Sequence, residues 1–110
     1  MVMEHGGQEL DRGRQANAQR DFEAAKGYFL GAKQAFEKVI EVDEGHDTAP
    51  GFRAEAEDLV GIAVLEAQAL TDWRAGRREA ACKLLAQATS LIEHARQEGR
   101  SAEDAVRYAF

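Results

Sequence analysis

Apolar residues between positions 22 and 42 recur every three or four residues. The main stripe contains Phe22, Ala25, Phe29, Ala32, Phe36 and Val39, and Tyr28, Ala35 and Val42 form a second stripe beside it. Spacing of this kind places side chains on one side of an α-helix. It predicts a helix over Phe22–Val42, with Asp21 as its N-cap. The apolar face is wide enough to contact two neighbouring helices.

A second long segment is apolar around almost its whole circumference. Between Leu59 and Leu70 few polar residues interrupt the aliphatic ones. A helix that is hydrophobic nearly all round is buried by several partners. We therefore predict a central helix over Phe52–Trp73, preceded by a polar loop that contains Gly45 and Pro50.

Three further helices complete the prediction. The first covers Gln8–Ala18, where Gly13 permits close approach to a neighbour. Another covers Arg77–Gln97 and ends at Gly99, and a short one covers Ala102–Ala109. The buried face of the helix over Arg77–Gln97 is predicted to contain Ala81, Leu84, Leu85, Ala88, Leu91, Ile92 and Ala95.

Length and composition favour one folded domain. The chain has 110 residues, of which 45% are hydrophobic and 31% charged, and this balance is typical of globular rather than disordered proteins. The prediction is an N-terminal tail at residues 1–7 and a single helical domain at residues 8–110.

Charge and cysteine content narrow the functional classes. A net charge of −6 argues against binding to nucleic acid, which needs a positive surface. No apolar run is long enough to span a membrane, and the start of the chain does not resemble a signal peptide. The single Cys82 cannot form an internal disulfide, and we interpret it as a small residue near a helix packing surface. These features predict a cytoplasmic protein without a membrane or nucleic-acid partner.

Two stretches share one pattern of small and large residues. Arg20-Asp21-Phe22-Glu23-Ala24-Ala25 is followed by Phe29 and Ala32, and Gly76-Arg77-Arg78-Glu79-Ala80-Ala81 is followed by Leu85 and Ala88. Both resemble the turn and second helix of a tetratricopeptide repeat. The resemblance implies an all-α fold of antiparallel helical hairpins in right-handed stacking, with four main helices and a short C-terminal one. It also implies a protein-binding scaffold.

A second resemblance covers roughly residues 10–70. The Asp21-Phe22, Ala25, Phe29 and Ala32 pattern, with the later segment Leu65-Glu66-Ala67-Gln68-Ala69-Leu70, is similar to microtubule-interacting-and-trafficking domains. Members of that family are three-helix bundles that bind helical or extended tail motifs beside their third helix. Both resemblances imply binding of a peptide or helix without catalysis.

Candidate chemistry is sparse. His5, His46 and His94 are far apart, and Cys82 has no partner at metal-ligand spacing. His46 lies among acidic residues, but its loop lacks the oxygen spacing of a calcium loop. Paired carboxylates are sequence neighbours, which do not face each other on a helix. We therefore predict no metal, no cofactor and no enzymatic activity.

The sharpest charge feature is a basic cluster beside an aromatic residue. Arg74, Arg77 and Arg78 surround the predicted turn after Trp73. The cluster could bind carboxylates of a partner, with Trp73 as a stacking surface. Alternatively, the arginines pair with Glu79 or the acidic loop at 41–47 while Trp73 closes the end of the core, and we favour this second interpretation.

The apolar surface predicted for the second and third helices exceeds what the first and fourth helices can cover. We therefore expect an open groove beside the second and third helices that binds a peptide or helix of another protein, as in an adaptor or regulatory module. Homodimerisation through the same surface and a helical accessory subunit of an enzyme are the alternatives. The residues predicted to contact the partner are Tyr28, Lys33, Glu66, Trp73, Arg74, Arg77 and Arg78.

Overall fold

The computed structural model of the protein describes residues 2–99. It contains the four helices α1 (Val2–Ala18), α2 (Phe22–Val42), α3 (Ala49–Arg74) and α4 (Arg78–Gln97). No β-strand occurs within this range, so the prediction of an all-α fold is confirmed. The short helix predicted over Ala102–Ala109 falls outside the described residues.

Helix α2 has the predicted bounds and the predicted cap. The Asp21 carboxylate accepts a hydrogen bond from the backbone N–H of Ala24 at 3.2 Å, which satisfies one of the amides left free at a helix start. Phe22, Phe29 and Phe36 are almost completely buried. The apolar stripe read from the sequence is therefore the core face of α2.

Helix α1 begins earlier than the sequence predicts. Residues 2–7, predicted to form a tail, are helical up to and beyond Gly6 and Gly7. Glycine disfavours helix by about 1 kcal/mol per residue relative to alanine, which explains the shorter prediction. Gly6 lies against the ring of Phe36, where an added Cβ would be 2.6 Å from Cε1. Packing on α2 therefore stabilises a helical segment that local propensity disfavours.

Helix α3 is the central helix, as predicted, and it packs between α2 and α4. It begins at Ala49, with Pro50 in its first turn, where the missing proline N–H costs nothing. The imidazole Nδ1 of His46 accepts hydrogen bonds from the backbone N–H groups of Thr48 at 3.3 Å and Ala49 at 3.1 Å. His46 thus acts as a cap for α3.

Aromatic stacking and ion pairs join α2 to α3. The rings of Phe36 and Phe52 stack with centroids 5.4 Å apart. Beside them Lys33 and Glu37 of α2 lie within 3.9 Å of charged partners on α3. These exposed pairs add little stability individually, so buried apolar area dominates the contact.

Helix α4 packs through alanines. Ala81, Ala88 and Ala95, spaced by seven residues, are fully buried, and small residues at this spacing allow two helices to approach closely. Within residues 2–99, Cα atoms of α4 lie within 8 Å of α3 but not of α1 or α2. With one neighbouring helix, α4 leaves Leu84 and Leu85 only partly buried and Leu91 exposed. The sequence prediction that all three leucines are buried is therefore only partly met.

Candidate functional site

A groove crosses the surface of α3, between α2 and α4 in its wider part and beside the start of α2 in its narrower part. Its wider part has a volume of about 360 Å³ and is lined by Glu23, Lys26, Val64, Leu65, Ala67, Gln68, Thr71 and Leu84. A second part of about 160 Å³ is lined by Arg20, Asp21, Phe22, Glu23, Ala67, Leu70, Thr71 and Arg74. The two parts share Glu23, Ala67 and Thr71, and we call them together the α2–α3–α4 groove. Its wider part exists because α2 and α4 both pack on α3, while none of their Cα atoms come within 8 Å of each other.

The floor of the wider part is apolar. Val64 is 46% exposed, and Leu65 and Leu84 are partly buried. Exposed aliphatic side chains at the bottom of a concave surface favour contact with another apolar group, because burial removes their surface from water.

Some charged residues of the groove already have partners within the chain, and one forms no ion pair with the described residues. Lys26 pairs with Glu23 at 3.0 Å, and Asp21 caps α2. Arg74 at the other end is exposed and makes no ion pair with any residue in the range 2–99. One cation at the end of the groove is therefore available to a ligand.

The structure places the other predicted contact residues away from this groove. Tyr28 is 36% exposed on α2. Lys33 lies 3.9 Å from both Glu37 and Glu57. Of the seven residues predicted to bind a partner, Arg74 alone lines the α2–α3–α4 groove.

Arg77 joins the turn between α3 and α4 to a buried carboxylate. Its Nε and Nη2 donate to Asp72 Oδ1 at 3.1 and 2.9 Å, and Gln68 Nε2 donates to the same oxygen at 3.1 Å. The Asp72 residue is only 7% exposed. Arg77 is therefore engaged within the chain, although with Asp72 rather than with Glu79 or the acidic loop.

Arg78 lies over the ring of Trp73. Its Cζ is 5.3 Å from the ring centroid, within the range of a cation–π contact. Trp73 itself is 41% exposed. It forms a surface platform for Arg78 and does not close the end of the core as the sequence interpretation assumed.

Glu66 is the most unusual polar residue of the described core. It is completely buried, on the same stripe of α3 as Ile62, Ala63 and Ala69. Neither carboxyl oxygen has a hydrogen-bond partner among residues 2–99. Desolvation raises the pKa of Glu66 from its ordinary value of 4.5 to about 8, because burial penalises the charged form. Glu66 is thus protonated at neutral pH.

Other chemistry is limited in the part of the chain that the structure describes. Among residues 2–99 no three His, Cys, Asp or Glu side chains converge as metal ligands would. In that range no helix is both long and apolar enough to cross a membrane. Cys82 is exposed and does not lie in a packing surface as predicted.

The groove residues on α4 and at the start of α2 were missed by the sequence reasoning. The sequence predicts Val64 to be one of several core residues of an all-round apolar helix, and Leu84 to be part of a buried face. A sequence does not show which side of such a helix lacks a neighbour. The one available signal in the sequence is that α4 has few large apolar residues opposite its alanine stripe, which indicates that this side of α4 has no neighbouring helix within residues 2–99.

Comparisons with known proteins leave the family open. No family model, no curated protein and no solved structure matches the chain.

Proposed function

We propose that the protein is a non-catalytic interaction module that holds a peptide or helix of another protein in the α2–α3–α4 groove. In this proposal the helices form antiparallel hairpins with tetratricopeptide-like right-handed stacking, and the module acts as an adaptor. The observation that carries the proposal is the groove itself, with an apolar floor between two helices whose Cα atoms all lie more than 8 Å apart.

The groove has the composition of a recognition site. Val64, Leu65 and Leu84 offer apolar surface, and anchors buried there would supply most of the affinity. Polar residues such as Gln68 and Thr71 line the same groove. A central apolar patch with a polar edge is the usual anatomy of a protein interface.

A matched pair of surface substitutions tests the proposal. Peptides selected from a random displayed library on the native protein are measured against Val64→Arg and Val42→Arg. Both valines are exposed, but Val42 is the last residue of α2 and does not line the groove. We expect Val64→Arg to weaken binding by about tenfold or more, the equivalent of one lost hot-spot contact, and Val42→Arg to leave it unchanged.

Two results would contradict the proposal. Selected peptides that bind both variants equally well would show that they bind elsewhere. A stable dimer in light scattering that Val64→Arg converts to monomer would show that the groove is a self-association surface, the alternative predicted from the sequence.

A further inference from the structure

The free cation at the end of the groove indicates what chemistry its occupant carries. Arg74 is exposed and lines the narrower part of the groove. The neighbouring arginines are engaged, Arg77 by Asp72 at 2.9 Å and Arg78 by the Trp73 ring. The charge near Arg74 therefore differs in sign from the net charge of −6 of the whole chain.

The two acidic residues that line the groove already have partners within the chain. Glu23 pairs with Lys26 at 3.0 Å, and Asp21 accepts the Ala24 amide. Arg20 and Arg74 line the same end as these two carboxylates. With Lys26 included, the whole groove holds three cations and two carboxylates. Arg74 makes no ion pair with any residue in the range 2–99, so an incoming carboxylate would find a partner there, whereas an incoming cation would have to displace an existing pair.

The apolar floor and this basic end are separated by a fixed length of helix. Val64 and Arg74 are ten residues apart on α3, which corresponds to about 15 Å along the helix axis. A partner helix lying along α3 covers that distance in nearly three turns.

We propose, on the basis of the function proposed above, that the occupant is an acidic amphipathic helix. Its apolar residue rests on Val64 and Leu84, and a carboxylate nearly three turns away pairs with Arg74. Helix-in-groove recognition uses apolar anchors on one face and charges at the edge to fix orientation.

Two synthetic helical peptides test this inference by fluorescence anisotropy. Both have about 18 residues, or five turns, and the same leucine face. All charged positions are glutamate in one and lysine in the other. We expect the native protein to bind the glutamate peptide about fivefold more tightly, the upper range for an exposed ion pair. Arg74→Glu should abolish or reverse this preference.

Arg78→Glu provides the matched control, because it changes the net charge equally at an exposed arginine that does not line the groove. We expect this variant to keep the preference for the glutamate peptide. Equal binding of the two peptides to the native protein, with Val64→Arg blocking both, would overturn the proposal of an acidic partner and leave the groove function intact. If neither peptide binds the native protein while library-selected peptides still do, the acidic helix is overturned and the groove function stands.

Discussion

Gly13 of α1 lies directly against the ring of Phe29 in α2, with no room between them for a β-carbon. Gly6 meets Phe36 in the same way one heptad away. The two glycines and two phenylalanines form a matched set, in which each ring occupies the space that a missing side chain leaves. Over residues 3–18 of α1, Leu10 is the most buried large apolar side chain, so the packing of α1 on α2 depends on this fit.

Gly13→Ala should destabilise the protein. The added methyl group overlaps the Phe29 ring, and overpacking of a buried contact typically costs about 1–3 kcal/mol. Urea denaturation followed by circular dichroism measures the change in the free energy of unfolding.

Gly7→Ala is the control on the same helix. A Cβ at Gly7 has nothing within 4 Å, so the substitution gains helix propensity of up to about 1 kcal/mol without a clash. Equal stability of the two variants would contradict the close contact of α1 with α2.

The contribution of Glu66 to the stability of the protein should fall as the pH rises from about 4.5 to about 8. In this interval the unfolded chain has lost the Glu66 proton while the folded chain retains it, because desolvation raises the pKa of Glu66 to about 8. The unfolded state then binds fewer protons, so the free energy of unfolding decreases with a slope approaching about 1.4 kcal/mol per pH unit. Below pH 4.5 both states are protonated and this contribution is flat.

Glu66→Gln separates this effect from that of the other carboxylates. The glutamine side chain has nearly the same shape and does not titrate, so the difference in stability between native protein and variant should change steeply with pH. A difference that is constant from pH 4.5 to pH 8 would contradict the burial of Glu66.

Arg77→Ala should cost more than Arg78→Ala. Removing Arg77 takes two hydrogen-bond donors from the buried Asp72 oxygen, and loss of partners at a buried acceptor costs about 1–2 kcal/mol. Arg78 contributes a cation–π contact with a partly exposed ring, worth about 0.5 kcal/mol. Thermal unfolding of the two variants ranks them, and the reverse order would argue against a structural role for Arg77.

Gly76→Ala should lower stability through the backbone alone. Gly76 has φ +82°, and a Cβ there would meet no atom within 4 Å. A left-handed conformation costs an alanine about 1 kcal/mol. Gly27→Ala in α2 also meets no atom but has helical backbone, so it should raise stability. Urea denaturation should therefore shift in opposite directions for the two variants.

Much of the fold could be predicted because it depends on local periodicity. The bounds of α2 and the cap by Asp21 follow from the Phe22 to Val42 pattern, and the central position of α3 follows from its apolar circumference. Helix α1 was predicted too short because Gly6 and Gly7 disfavour helix locally, and only the Phe36 contact compensates.

The candidate site was harder to predict from the sequence. Arg74 was recognised as a candidate, but its neighbours Arg77 and Arg78 are similar in sequence and are engaged by Asp72 and Trp73. Glu66 lies on the apolar stripe of α3, and the spacing of apolar residues is equally compatible with a groove or with the core at this position. The choice depends on which helices cover that side of α3.

The sequence by itself determined that the chain is helical and where α2, α3 and α4 lie, because the spacing of apolar residues sets which face of each helix avoids water. Tertiary structure alone decided that α4 packs on α3 and not on α2. That pairing opens the groove over Val64, while Glu66 lies on a side of α3 that the packed helices cover completely. The packing of α4 on α3 depends on the fit of side chains from distant parts of the chain, and local spacing of apolar residues does not determine that fit.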